Sequence, residues 1–225
     1  DQELQNGVDA HNEGNLQEAE KLYRSVLENE PSNLAANIHL GEILFKLNKF
    51  TEAEVSYKNA LKIEPNSIEV LNNLAVTLNT LGKIDEAELY YKNLIKLKPD
   101  FPEVLFNLAN TLKTLGKIDE AEKNYKKAIK LKKDFKDARC HLGILYKNQN
   151  KNEHAIKEFT QILEFDPKYS LAKVNLINLL DSYLPTNKNT HPIIIANNNL
   201  KKIKNTFSLE NGIKKKDLAN LINDS

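Results

Sequence analysis

A single cysteine, Cys140, stands in 225 residues, so the chain can close no internal disulfide, and a reducing, cytoplasmic setting is the expectation. No apolar run reaches the roughly 18 residues that a membrane-crossing helix requires, so no membrane role is expected. The formal net charge is +1 and only two arginines, Arg24 and Arg139, accompany thirty lysines. That balance provides no general attraction to nucleic acid and few guanidinium groups to read it. Thirty asparagines beside the thirty lysines read as the trace of an AT-rich coding sequence, a bias to discount before any Asn is taken as a ligand. Methionine is absent and the chain opens at Asp1 inside a helical pattern, so Asp1 is not expected to be the native start. Glycine is scarce. Six of the seven (Gly7, Gly14, Gly41, Gly82, Gly116, Gly143) fall at spacings suited to packing and turns and Gly212 stands alone, which leaves no phosphate-cradling loop.

What the chain does have is a period. Alanine recurs every 34 residues at Ala19, Ala53, Ala87, Ala121 and Ala155, and four places later an aromatic follows at Tyr23, Tyr57, Tyr91, Tyr125 and Phe159. In the same frame lie Pro31, Pro65, Pro99 and Pro167, with Lys133 at the fourth place, and a small residue at Gly7, Gly41, Ala75, Ala109 and Gly143. The small residue and the alanine predict close helix approach, which a larger side chain would overpack by roughly 1–3 kcal/mol. Gly14, Asn48, Gly82, Gly116 and Asn150 fall where a turn needs positive φ, and the proline is placed to stop each second helix. Units of this kind bury their apolar face only against a neighbour, so the expectation is an all-α helix-turn-helix solenoid.

These offsets resemble the tetratricopeptide repeat (TPR) family. Five complete repeats span 1–169 without insertion, and the run Thr-Leu-Gly-Lys-Ile-Asp-Glu-Ala-Glu is identical at 80–88 and 114–122. A sixth repeat begins with Leu176 and Leu180 in register, then fails at Tyr183-Leu184-Pro185. The expected organisation is therefore an array over 1–182, a loop over 183–192, and a helical segment over 193–225. In that last segment Ile193, Ala196, Leu200, Ile203 and Phe207 make one amphipathic face, read as a cap on the array or a junction to a further domain. The resemblance implies a right-handed superhelix whose first helices line a concave groove.

Two places before the small residue of each first helix stand Gln5, His39, Asn73, Asn107, His141 and Asn175. An amide offers both a donor and an acceptor to a peptide unit. The offset resembles the asparagine ladder with which the repeat domain of O-linked N-acetylglucosamine transferase holds an extended polypeptide. Flanking offsets add Leu4, Ile38, Phe106, Cys140 and Val174, then Val8, Val76 and Ile144 alternating with Glu42, Asn110 and Asn178. A rim carries Asp1, Glu69, Glu103 and Asp137. TPR modules that clamp acidic C-terminal tails use Lys and Arg where this chain has Leu4, Val8, His39, Glu69 and Asn73. The expected ligand is an extended peptide or partner protein, neutral or basic.

No catalytic constellation is expected. His11, His39, His141, His154 and His191 lack metal-ligand spacing, Cys140 and His141 point about 100° apart on a helix, and Asp85-Glu86 and Asp119-Glu120 suit helix N-termini. The sequence therefore reads as a non-enzymatic interaction scaffold without metal or cofactor. The alternative is the substrate-presenting or regulatory repeat region of a larger enzyme, such as a transferase or oxygenase.

Overall fold

The structure is a computed structural model that describes residues 2–183. Among them are eleven helices and no strand: α1 Gln2–Asn12, α2 Leu16–Asn29, α3 Leu34–Lys46, α4 Phe50–Ile63, α5 Ile68–Thr80, α6 Ile84–Leu97, α7 Pro102–Thr114, α8 Ile118–Leu131, α9 Lys136–Asn148, α10 Asn152–Phe165 and α11 Ser170–Tyr183. The described residues divide into two compact units, the first ending at 127 and the second beginning at 128. In the first, α1 pairs with α2, α3 with α4 and α5 with α6, and each second helix packs on the next first helix. In the second, α9 pairs with α10 and α10 packs on α11. The all-α repeat fold expected from the period is the fold observed.

Each hairpin turns through one left-handed residue. The φ angles are +79° at Gly14, +61° at Asn48, +75° at Gly82, +74° at Gly116 and +58° at Asn150. The turns close in the same way: the N–H one residue beyond donates to a carbonyl five residues back, as Asn15 to Ala10 at 2.9 Å and Lys49 to Leu44 at 2.8 Å. This satisfies carbonyls that the helix end would otherwise leave unpaired.

The alanine series is wholly buried in all five repeats, and Tyr23, Tyr57, Tyr91, Tyr125 and Phe159 are at most 2% exposed. The small residue before them has a more specific task than close helix approach. A Cβ on Gly7 would lie 2.8 Å from the Tyr23 ring, on Gly41 2.6 Å from Tyr57, and on Gly143 2.7 Å from Phe159. In these repeats, then, the first helix leaves room for the aromatic of its own second helix.

Proline is not required to end a second helix. α8 stops at Leu131, in frame with Asn29, Ile63, Leu97 and Phe165, although Lys133 replaces the proline there. The Arg139 guanidinium donates to the Lys133 carbonyl at 3.2 Å and to Glu158 and Gln161 on α10. Asn37, the equivalent residue of the second repeat, donates likewise to the Pro31 carbonyl at 3.1 Å. A side chain of the following first helix holds the loop in both places.

A ladder of ion pairs stitches neighbouring repeats of the first unit. Glu54, 7% exposed at its side chain, accepts from Lys58 at 2.7 Å and from Lys83 of the next repeat at 2.8 Å. Glu88 does the same with Lys92 and Lys117, both at 2.6 Å, and Glu20 with Arg24 and Lys49. Burial alone would raise these carboxylates, but their two cationic partners outweigh it and hold all three below the ordinary value.

The helix α11 is the expected first helix of a sixth repeat, and it extends through Tyr183, one residue into the expected loop. The remainder of that loop and the segment 193–225 lie outside the described residues.

Candidate functional site

The residues of the first unit expected to line a groove are carried by α1, α3, α5 and α7, which pack successively against one another. Between α3 and α5 is an open cleft of 270 Å³ lined by Glu42, Phe45, Lys46, Tyr57, Asn73 and Val76. Asn73 and Val76 were expected groove residues and are brought together here. Tyr57, 2% exposed, forms the inner wall. Phe45, Lys46 and Tyr57 are lining residues that offsets around the amide series did not identify. Tyr57 recurs in the 34-residue frame, but it is the fold that sets it beneath the small residue of α3.

The amides differ in how much of their hydrogen-bonding capacity is free. The side chains of Asn73 and Asn107 are half-buried and make no hydrogen bond among the described residues, although their backbone carbonyls accept from Thr77 and Thr111. Gln5 is exposed and donates to Asp9 at 2.9 Å. Asn110 accepts from the Tyr125 hydroxyl at 2.6 Å, with the Phe106 ring 6.1 Å from that of Tyr125. His39 stacks on Tyr23 at 5.5 Å and sits 3.4 Å from Glu42.

In the second unit, His141 and Ile144 lie half-buried on α9, and Asn178 is exposed on α11. Asn175 donates to the Leu171 carbonyl at 2.9 Å and accepts from Lys147 at 3.3 Å, so both ends of its amide are engaged. Cys140 corrects the expectation for its offset. It is fully buried core rather than groove wall, and burial together with Asp137 pushes its thiol up to about 11, far from thiolate chemistry.

The histidines also depart from expectation. Read along the sequence they lack ligand spacing, yet α1 and α3 bring His11, His39 and Glu42 together, with ligand atoms all within 4.8 Å of one another. The Lys46 ammonium lies beside them, 2.6 Å from His11 Nε2. Burial, then Lys46, holds the His11 pKa below its ordinary value. The signal in sequence was the frame: residues 28 apart meet on consecutive first helices.

Among the described residues no helix is long and apolar enough to cross a membrane. Comparison with curated protein sequences gives no match. Solved structures with similar folds include MamA, with 22% identity, a TM-score of 0.70 and coverage of 73% of this chain and 96% of that one. YrrB, described as a TPR protein with an unusual peptide-binding site, is similar at 20% identity and a TM-score of 0.69, over 76% of this chain and 89% of its own. A tetratricopeptide repeat protein from Parabacteroides merdae matches at 20% identity and a TM-score of 0.73, covering 99% of this chain and 97% of that one. At these identities the likeness shows the fold alone. Family models described as tetratricopeptide repeat match residues 10–75, 48–104, 102–135 and 137–169. With the repeats matched in this way and the helix pairs folded to the same period, the chain belongs to the tetratricopeptide repeat family.

Proposed function

We propose that this chain is a non-catalytic interaction scaffold that holds an extended stretch of a partner polypeptide across the first helices of its first unit. The observation that carries the reading is the pair of open amides. Asn73 and Asn107 stand one repeat apart with donors and acceptors unspent, the state in which an amide can bind the backbone of a peptide in either sense. Packed helix layers are spaced roughly 8–10 Å apart, which corresponds to about three residues of extended chain at about 3.3 Å each. In this reading the cleft beside Asn73 takes one peptide side chain against Val76, Phe45 and the Tyr57 ring. Glu42 and the exposed Glu69 and Glu103 favour a neutral or basic ligand over an acidic tail. The peptide-binding site ascribed to YrrB supports this reading in kind but does not locate the site. A cytoplasmic setting fits the single buried cysteine.

Backbone recognition gives broad sequence tolerance and modest affinity, since a net hydrogen bond contributes only about 0.5–1.5 kcal/mol. The reading is tested by selecting peptides on the full chain from a random library and competing them against acidic and basic sets. Selected peptides should be neutral or basic and share little sequence. Enrichment of acidic C-terminal tails would contradict the reading.

A further inference from the structure

We propose that His11, His39 and Glu42 form a binding site for a divalent transition metal of the zinc class where α1 meets α3. The three supply two imidazole nitrogens and one carboxylate oxygen, a donor set suited to that class of ion. His39 and Glu42 are three residues apart on α3 and so share a face. Their Nδ1 and Oε2 atoms are 3.4 Å apart. Ligands bound tetrahedrally at about 2.1 Å are separated by about 3.4 Å, so this edge of the coordination figure is already formed. His11, on the last turn of α1, lies within 4.8 Å of both and closes the remaining gap by rotating its side chain.

Three further observations favour a cation here. First, the structure already places one: the Lys46 ammonium is 2.6 Å from His11 Nε2, at the end of an exposed, flexible stem that can swing to water when a metal enters. Second, the Tyr23 ring that stacks on His39 is fully buried, and its hydroxyl has no hydrogen-bond partner. Three protein ligands leave a fourth position for water, and a water there offers that hydroxyl the partner it lacks. Third, the constellation is not a demand of the fold. At the next junction the same offsets carry Phe45, Asn73 and Val76, and at the one after that Asn79, Asn107 and Asn110. Packing between first helices therefore does not require imidazole or carboxylate at these places.

The test is titration of the full chain with Co²⁺ followed by visible absorption, and with Zn²⁺ followed by calorimetry. The wild type should bind one equivalent with the intense d–d bands of a tetrahedral site. His11→Ala and His39→Ala should each lower the affinity at least tenfold, and Lys46→Met, which removes the competing ammonium, should raise it several-fold. Because His39 also packs on Tyr23, circular dichroism checks its fold, and His11→Ala carries the test if His39→Ala unfolds. His154→Ala, on an exposed turn of α10, should bind as wild type. Absence of tetrahedral bands in the wild type, or undiminished binding in folded His11→Ala, would overturn the proposal.

Discussion

At position 41 the chain has no room for a methyl group. The Cβ of an alanine there would fall 2.6 Å from the Tyr57 ring, inside any real carbon–carbon contact, and that ring is buried. Gly41→Ala should therefore destabilise the protein by about 1–3 kcal/mol in a denaturant melt. Gly82→Ala tests a different cause. Nothing lies within 4 Å of its Cβ, but φ is +75°, so the cost is left-handed backbone strain of about 1 kcal/mol. The period made both positions legible as glycine or a small residue, because size and φ leave a mark on residue type. It did not reveal that the small residue makes room for an aromatic sixteen places later, since the third and fourth repeats carry Ala75 and Ala109 at the same offset.

Between elements, the buried carboxylates make stability depend on pH in a defined direction. Glu20, Glu54 and Glu88 titrate below their ordinary value of 4.5 in the fold because Lys and Arg partners outweigh burial. Between the folded and unfolded values the unfolded chain binds more protons. Their contribution is thus complete above about pH 4.5 and is lost as pH falls through the folded values. Melting temperature should fall steeply below that point, and Glu54→Gln with Glu88→Gln should lower it at pH 7 and flatten the acid drop. An acid drop of unchanged steepness in the double variant would contradict the assignment. The fourth repeat offers a second test. Arg139 holds the loop there, with its side chain 13% exposed and Glu158 at 3.0 Å. Arg139→Ala leaves that carboxylate and the Lys133 carbonyl without their donor and should cost about 2–3 kcal/mol, measured by denaturant unfolding. Neither device was read from the sequence. Surface-looking Glu and Lys at regular spacing fit a solvated face equally well, and nothing in the loop's own residues names the side chain that holds it.

For the molecule as a whole, the sequence anticipated which side chains share a helix face better than it anticipated their hydrogen bonding. It placed Asn73 and Val76 in what proves to be one cleft, because the repeat frame fixes which helix face recurs. It did not separate open amides from engaged ones. Asn110 accepts from a tyrosine on the paired helix and Asn175 from a lysine one repeat earlier, partners set by side-chain reach across neighbours rather than by offset. The same limit hid the meeting of His11 with His39. The account therefore rests on Asn73 and Asn107 as the open pair, and one measurement tests it most directly. Peptides selected on the wild-type chain are titrated by calorimetry into wild type and into Asn73→Ala with Asn107→Ala, with thermal melts of both proteins. The account predicts affinity reduced by about fivefold to a hundredfold, with a melting temperature close to wild type. Equal affinity in the two proteins would contradict it.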